Sequence, residues 1–275
     1  MNAWGIFSLN QPACETPVPS SASVRSALTE VDIQIQGLCK TFDGRRTVLK
    51  DIHLSIPHGQ AVALIGHNGS GKSTLLRCCL HLVKPSSGSV RLLGRDFTTL
   101  STAQLRLMRA KVGVVFQHHN LVPRLSVLTN VLHGVQGRKK GPRTWLQGFA
   151  PQRDRQEAMA KLERVGLAHL AGQRVDQLSG GESQRVAIAR ALMQRPSMMM
   201  ADEPVASLDP NAGEEVMQLF VDLIRDEGLT LLFVSHNLEH ALRYADRIVG
   251  LRDGCLEMDT PSAAEDTLSL RRLYA

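Results

Sequence analysis

The sequence predicts an α/β fold, and three observations support this prediction. Apolar runs of strand length recur along the chain, at 61–65, 112–116 and 229–234, and polar or helix-forming residues follow them. A glycine-rich loop stands between the first of these runs and a predicted helix at Leu75–Leu82. Glycine and proline interrupt residues from about 118 to 178, which otherwise have mostly helical patterns. We therefore expect an α/β core with an inserted α-helical subdomain.

Length and composition limit the class of protein. A chain of 275 residues forms one large domain or two small ones. The net charge of +6 is spread out, with its densest patches at Arg138–Arg143 and Arg271–Arg272. A solvated surface is the favoured explanation, and contact with an anionic membrane or nucleic acid stays open. The five cysteines form no C-x-x-C pair, which indicates reduced structural thiols, not a disulfide framework or a metal site.

Residues 1–30 differ from the rest of the chain. They contain three prolines and a serine cluster with little periodicity, which predicts a disordered extension. The first twenty residues hold no Lys or Arg, and Ile6–Leu9 is too short for a signal-peptide core. No apolar run approaches the roughly 18 residues that span a bilayer. These features favour a cytoplasmic protein.

The first ordered segment alternates apolar and polar residues. Val31–Ile35 and Val48–Ile56 have the period of strands, and Lys40–Arg45 is predicted to be a turn between them. Phe42 lies in this turn, where its flat ring could stack on a nucleobase. A core residue at the end of a strand is an equally good interpretation.

The stretch GHNGSGKST fits the phosphate-loop pattern G-x-x-x-x-G-K-[ST], with an apolar strand before it and a helix after it. Glycines leave room for backbone N–H groups to surround phosphate oxygens, and the helix dipole favours the same anions. The Lys supplies a cation for the β- and γ-phosphates, and the Ser hydroxyl is suited to Mg²⁺. The predicted nucleotide-binding residues are Gly66, His67, Asn68, Gly69, Ser70, Gly71, Lys72, Ser73 and Thr74.

Gln117 follows the apolar run Val112–Phe116. Ligands of open α/β sheets bind beyond the carboxyl ends of the parallel strands. The Gln117 amide is thus a candidate for contact with Mg²⁺ or with an attacking water. An ordinary surface glutamine is the alternative.

A second glycine motif, LSGGESQ at Leu178–Gln184, precedes a strongly helical stretch. Ser179 offers a hydroxyl, and Gly180 and Gly181 offer bare backbone N–H groups at the helix start. The chain therefore has two predicted phosphate-binding helix starts. For the second, an ordinary N-capped helix is the alternative.

Two carboxylates end the apolar run Ser197–Ala201. Asp202 is a candidate to hold hydrated Mg²⁺ beside the phosphate-loop serine, and Glu203 is a candidate general base for the attacking water. The three methionines before them are interpreted as a buried strand, not as a metal or interaction stripe.

The remaining motifs complete the predicted edge. Ser207–Pro210 is predicted to be a turn that starts a helix, with proline at the first helical position. His236 follows the apolar run Leu229–Ser235 and is a candidate γ-phosphate contact. Asp246–Leu251 and Cys255–Asp259 are predicted to form a hairpin, followed by a helix at Pro261–Leu273.

Taken in order, these motifs resemble those of the ATP-binding-cassette (ABC) ATPases, and the resemblance covers residues 31–275. It implies a P-loop NTPase (RecA-like) core with an antiparallel β subdomain and an inserted helical subdomain. It also implies ATP and Mg²⁺ as cofactors. Two copies would pair head to tail, with ATP between the phosphate loop of one copy and Ser179–Gly181 of the other. Asp209 would face the partner, Glu203 would activate water, and His236 would contact the γ-phosphate.

Within this family, the stretches at 117–127, 144–145, 203–210 and 244–254 resemble those of the phosphonate-importer ATPases. This resemblance implies a peripheral ATPase on the cytoplasmic face of the bacterial inner membrane. Its partners would be membrane permease subunits and, indirectly, a periplasmic phosphonate-binding protein. Gln117 and the helical subdomain would transmit motion to the permease, and no nucleic-acid partner is expected. Import of phosphite or another anion, lipoprotein release and cell division remain alternatives. A soluble cassette acting on DNA or the ribosome is a further alternative.

Overall fold

The computed structural model describes residues 30–117, 119–138 and 148–274. The predicted disordered extension lies outside the described residues except for Glu30. So do His118, the segment 139–147 that holds most of the basic loop, and Ala275.

The described chain alternates strands and helices. The strands are β1 (Val31–Phe42), β2 (Arg46–Pro57), β3 (Ala61–Ile65), β4 (Ser87–Leu92), β5 (Arg95–Asp96), β6 (Val112–Phe116), β7 (Met198–Asp202), β8 (Thr230–Val234), β9 (Arg247–Arg252) and β10 (Cys255–Pro261). The helices are α1 (Lys72–Cys79), α2 (Thr102–Arg109), α3 (Val127–Leu132), α4 (Gln152–Arg164), α5 (Gly180–Leu192), α6 (Pro210–Asp226), α7 (Leu238–Tyr244) and α8 (Thr267–Arg271).

The main sheet confirms the predicted α/β class. Its six strands have the order β10-β9-β3-β8-β7-β6, in which β6, β7, β8, β3 and β9 run parallel. The last strand, β10, pairs antiparallel with β9 and closes the sheet as the predicted hairpin. The phosphate-loop strand β3 is central, and all five of its residues are buried.

A second sheet, antiparallel with the order β2-β1-β4-β5, covers one face of the main sheet. The alternation of β3 shows how the two cores are separated. Val62 and Leu64 belong to the core shared with the antiparallel sheet and α1. Ala63 and Ile65 face the opposite core, which holds α5 and α6. Successive strand residues point to opposite faces, so this buried strand contributes to both cores.

Helices and short 3-10 turns occupy the described residues between β6 and α5. The longest of these described helices is α4, and Ala158, Leu162 and Val165 on it or at its end are all buried in the core shared with α3 and α5. This confirms the helical interpretation of that stretch. No helix within the described ranges is both long and apolar enough to cross a lipid bilayer.

Three predictions of local structure were wrong in part. The helix predicted at Leu75–Leu82 is α1, which begins earlier, at Lys72 directly after the loop glycine Gly71, and ends at Cys79. The turn predicted at Lys40–Arg45 is shorter, because β1 continues to Phe42, which pairs with Arg46 on β2. The predicted terminal helix is divided into 3-10 turns at Ser262–Ala264 and Arg272–Tyr274 around the short helix α8. Asp266 caps α8 with its side chain, which interrupts any continuous helix from Pro261.

Candidate functional site

Four parallel strands end at the same level, and the strand register shows this directly. Leu64 on β3 pairs with Val234 on β8, which pairs with Asp202 on β7, which in turn pairs with Phe116 on β6. The residues that follow these strands therefore emerge at one edge of the sheet. This is the crevice where open α/β sheets bind ligands.

The phosphate loop leaves the end of β3 at Gly66. A Cβ atom at this position would lie 2.1 Å from the carbonyl oxygen of Leu251, so only glycine fits. Gly71, the N-cap of α1, has a φ of 111° and provides no side-chain cap. The first N–H groups of α1 thus have no capping side chain among the described residues, and an anion fits their geometry and the helix dipole.

Lys72 is the buried cation of this loop, with 5% of its surface exposed. Its ammonium donates hydrogen bonds to the backbone oxygens of Gly66 at 2.7 Å and His67 at 3.0 Å. Burial lowers the pKa of Lys72, and the negative charges of Glu203 and Asp202 act in the opposite direction. The ammonium is therefore held by neutral carbonyls, which a phosphate oxygen can replace.

Ser73 and Asp202 form a direct pair across the sheet edge. The Ser73 hydroxyl donates to a carboxylate oxygen of Asp202 at 2.9 Å. Burial raises the pKa of Asp202, while the hydrogen bond from Ser73 opposes that rise. One hydroxyl and one carboxylate oxygen at this spacing suit Mg²⁺, a hard cation that accepts few protein ligands and retains waters.

Glu203 and His236 also contact each other. The distance between Nε2 of His236 and Oε1 of Glu203 is 2.5 Å. Glu203 has a φ of 52°, in the left-handed region that non-glycine residues adopt at a cost. The strained backbone therefore lies directly after β7, at the residue whose carboxylate contacts the imidazole.

A cavity of about 490 Å³ lies along this edge. Phe42 is part of its wall, and Lys40 places its ammonium 4.6 Å from the centre of the Phe42 ring. The predicted site residues that line the cavity are Phe42, Asn68, Gly69, Gly71, Lys72, Ser73, Thr74, Glu203 and His236. The structure thus brings the phosphate loop, the aromatic residue, the carboxylate and the imidazole together.

Other predicted residues at the edge are not on the wall of this cavity. Gly66 and Ser70 are buried residues of the loop itself. His67 forms a hydrogen bond through Nδ1 with the backbone oxygen of Asn68 at 2.8 Å. Asp202 is buried and accepts the hydrogen bond of Ser73. Gln117 is exposed at the end of β6 and does not line the cavity in this structure.

The second glycine motif forms a separate cleft of about 530 Å³. Ser179, Gly180, Gly181 and Asp209 all line it, and none of them lines the phosphate-loop cavity. Ser179 is the N-cap of α5 and forms a capping box with Glu182. Its hydroxyl donates to a Glu182 carboxylate oxygen at 2.8 Å. Asp209 caps α6 by accepting from the N–H of Ala212 at 3.0 Å, as the Ser207–Pro210 turn predicted.

Sequence reasoning did not identify four residues near the phosphate loop. Asp43, Arg46 and Val48 line the cavity with Phe42, and the polar character of the turn next to this aromatic was a usable signal for the first two. Tyr274 accepts a hydrogen bond from the N–H of Gly66 at 3.3 Å. A single tyrosine at the end of the chain gave no signal that it reaches the loop.

Comparison with known proteins identifies a family. The family model described as "ABC transporter" matches residues 49–206, which is more than half of the chain. A protein of Ruegeria sp. (strain TM1040) called "Phosphonates import ATP-binding protein PhnC 1" is 45% identical over 245 residues, covering 88% of this chain and 94% of the relative. The protein called "Phosphonates import ATP-binding protein PhnC" from Stutzerimonas stutzeri is 46% identical over 250 residues, covering 88% of this chain and 89% of the relative.

Solved structures agree with this result. A dimeric post-hydrolysis state of the ATP-binding cassette MJ0796, bound to ADP and Pi, matches with a TM-score of 0.74 and 34% identity. The match covers 84% of this chain and 98% of that one. The protein cbiO1 from Clostridium perfringens, part of the ABC transporter complex cbiONQ, matches with a TM-score of 0.76 and 27% identity. That match covers 86% of this chain and 90% of the other.

Proposed function

The chain belongs to the ABC transporter family of ATP-binding cassettes, and on this premise we propose that it is the ATP-hydrolysing motor of a phosphonate importer. The convergence of Lys72, Ser73, Asp202, Glu203 and His236 at one sheet edge supports the ATPase activity. The substrate class is supported by relatives named for phosphonate import that are 45–46% identical over 88% of this chain.

Nucleotide binding assigns a role to each part of the loop. The N–H groups of residues 69–74 surround the phosphates, and Lys72 moves from the carbonyls of Gly66 and His67 to the phosphate oxygens. The ring of Phe42 forms a face for the adenine, in the place where Lys40 now contacts it. Ser73 and Asp202 would hold Mg²⁺, which would supply positive charge near the transferred phosphoryl group.

Hydrolysis requires a water that attacks the γ-phosphorus as the bond to the bridging oxygen of ADP breaks. Glu203 lines the cavity and accepts the proton of this water. His236 orients Glu203 through its Nε2 contact and donates to the γ-phosphate once nucleotide is present. Gln117 would have to change its position or its side-chain rotamer to reach the site, since its side chain is exposed and does not line the cavity.

A second copy completes the site. Ser179–Gly181 line a different cleft from Lys72, so they contact a nucleotide on the phosphate loop of a partner copy, not of their own. Asp209 shares the Ser179 cleft and lies against the same partner. ATP binds better to the closed pair than to the open one, and hydrolysis therefore shifts the equilibrium toward opening.

The same proposal sets the place of the protein in the cell. It is bound peripherally to membrane permease subunits at the cytoplasmic face of the inner membrane. A periplasmic phosphonate-binding protein delivers the substrate on the other side. The helical region around α3 and α4 and the loop after β6 transmit the closure of the pair to the permease.

The test is growth of a deletion strain with an alkylphosphonate, phosphite or phosphate as the sole phosphorus source. The strain is complemented with the wild-type chain or with Lys72→Ala. We expect growth to fail only on the phosphonate and to return only with the wild type. Normal growth on all three sources, in a strain without a redundant importer, would remove the phosphonate assignment.

A further inference from the structure

The end of the chain contacts the start of the phosphate loop. The last described residue, Tyr274, is about one-third exposed, and its phenol oxygen accepts a hydrogen bond from the backbone N–H of Gly66 at 3.3 Å. Gly66 is buried, so without this contact its N–H would lose a hydrogen-bond partner in the protein interior. A residue far away in the sequence thus satisfies the first glycine of the loop.

Leu273 fixes the turn that carries this tyrosine. Its side chain is 4% exposed and belongs to the core that contains α6 and α7. It occupies the space above Gly250 on β9, where a Cβ atom would lie 2.4 Å from Cδ1 of Leu273. Gly250 pairs with Ile65, the residue before Gly66. The anchor of the turn and the hydrogen bond of Tyr274 are therefore adjacent in the sheet.

Gly66 is held from two sides. Lys72 donates to its carbonyl oxygen at 2.7 Å, and Tyr274 accepts from its N–H. In the proposed function, Lys72 leaves this carbonyl when it binds phosphate. The contact with Tyr274 does not involve a group that binds nucleotide, so it can persist throughout this exchange.

The surroundings of Tyr274 disfavour ionisation of a phenol that is already neutral at physiological pH. Burial raises the pKa of Tyr274, and the negative charge of Glu203 raises it further, while the N–H of Gly66 acts in the opposite direction. The hydroxyl therefore retains both its proton and its acceptor oxygen at physiological pH.

We propose that Tyr274 is a positioning residue of the phosphate loop, which holds Gly66 in place while Lys72 changes its partner from the loop carbonyl to the nucleotide. Leu273 is the anchor that brings the phenol to this position. The role rests on the proposed binding of ATP at this loop. It adds the C-terminal turn to the nucleotide site.

The test compares Tyr274→Phe with the wild type in the full-length chain, by isothermal titration with ATP and by thermal unfolding. Because the contact can persist in both states, its loss should act on the free loop, which would then populate conformations that do not bind; we expect ATP affinity to weaken about three- to tenfold. Tyr244→Phe is the matched control, because it removes a phenol that bonds to Glu214 instead of to the loop. We expect Tyr244→Phe to change thermal stability without changing ATP affinity.

A second variant tests the anchor. Leu273→Ala should reproduce the loss of affinity, and the double variant should be no weaker than the weaker single variant, because both changes remove the same contact. Wild-type affinity in Tyr274→Phe overturns the inference, including the case in which only thermal stability falls. Failure of the proposed function gives a different result from failure of this inference. If the wild type does not bind ATP, or if Lys72→Ala binds it equally well, the proposed function fails as well.

Discussion

The two helix starts that the chain offers to phosphate differ in what already satisfies them. At α1, the N-cap is Gly71, which provides no side chain, and Lys72 is buried behind it. At α5, Ser179 is exposed, and it exchanges hydrogen bonds with Glu182 in a capping box. The first helix start is therefore open to an anion, whereas the second is already capped by its own chain.

Under the proposed function, this difference would explain how one chain binds ATP and still requires a second copy. The phosphate loop has glycines, a cation and a sheet edge with carboxylates, so we expect it to bind nucleotide alone. The Ser179 hydroxyl donates to Glu182, so it would have to leave that carboxylate before it could bind the phosphate of a nucleotide on the partner. The Ser179 cleft should therefore contribute to hydrolysis and closure, and little to the first binding step. Four variants test this comparison.

The largest effect on hydrolysis is expected from a change at Glu203, because this step requires both clefts. Glu203→Gln removes the proton acceptor and should lower the hydrolysis rate by about 10²- to 10⁴-fold. ATP should still bind, so an ATP-bound dimer should accumulate, as measured by phosphate release and light scattering. Glu239→Gln, in the first turn of α7, is the control and should hydrolyse ATP normally. A Glu203→Gln protein that binds ATP at saturation yet stays monomeric would contradict the head-to-tail pair.

Ser179→Arg should break the second cleft alone. Because the arginine blocks the partner's nucleotide and removes one donor, hydrolysis should fall by at least about 10²- to 10³-fold. ATP affinity of the monomer should not change. Ser101→Arg is a matched control, since Ser101 caps α2 through an equivalent box with Gln104 and lines neither cleft. Wild-type turnover in Ser179→Arg would disprove a trans-acting role.

Lys72→Ala should break the first cleft alone. Hydrogen bonds to charged groups contribute about 1.5–3 kcal/mol, so ATP affinity should fall roughly ten- to hundredfold in an equilibrium titration. Lys111→Ala, an exposed lysine just before β6, should bind ATP like the wild type. Equal affinity in Lys72→Ala would mean that the phosphate loop does not bind nucleotide through this ammonium.

The smallest effect concerns the cap of α5. The N–H and hydroxyl of Ser179 lower the pKa of Glu182, so its carboxylate stabilises the folded state above the usual pKa of a glutamate, about 4.3. This stability is lost as pH falls through the lowered pKa. Glutamine can still form the capping box, so Glu182→Gln should cost only the charge contribution, about 0.3–1 kcal/mol at pH 7, and the difference from wild type should shrink toward pH 3.

Denaturant unfolding at several pH values measures this difference. Glu163→Gln, on the exposed side of α4, controls for the loss of a surface charge. If Glu182→Gln shows the same deficit at every pH, the capping box does not depend on the carboxylate charge.

Local pattern predicted much of the fold because it depends on neighbouring residues. The bounds of β3 and β6 match the apolar runs. A short, continuous apolar run is typical of a strand that is buried on both faces of a sheet. Proline at the first helical position located the start of α6. The turn at Lys40–Arg45 was less well predicted, because pairing with β2 extends β1 to Phe42. Cross-strand pairing is not visible in a single segment.

The roles of the site residues remain predictions, and the structure now gives them different amounts of support. Ser73 and Asp202 are 129 positions apart in the chain and share a hydrogen bond. Glu203 and His236 are also in contact. Gln117 was expected at the same edge. It directly follows β6 there, but its exposed side chain does not line the cavity. The position of Gln117 after a strand predicted where its backbone lies, but not whether its side chain faces the cavity.

The chemical groups of the site could be read from the amino-acid sequence, because glycines, a lysine, carboxylates and a histidine occur at fixed places in strand–loop–helix units. Three features come from the folded chain and not from any one segment: the order of the strands in the sheet, the separation of Ser179 from Lys72 into two clefts, and the contact of Tyr274 with Gly66. These features depend on which buried surfaces fit together over long sequence distances. Such a fit is a property of the whole core and leaves no periodic pattern in any one stretch of the chain.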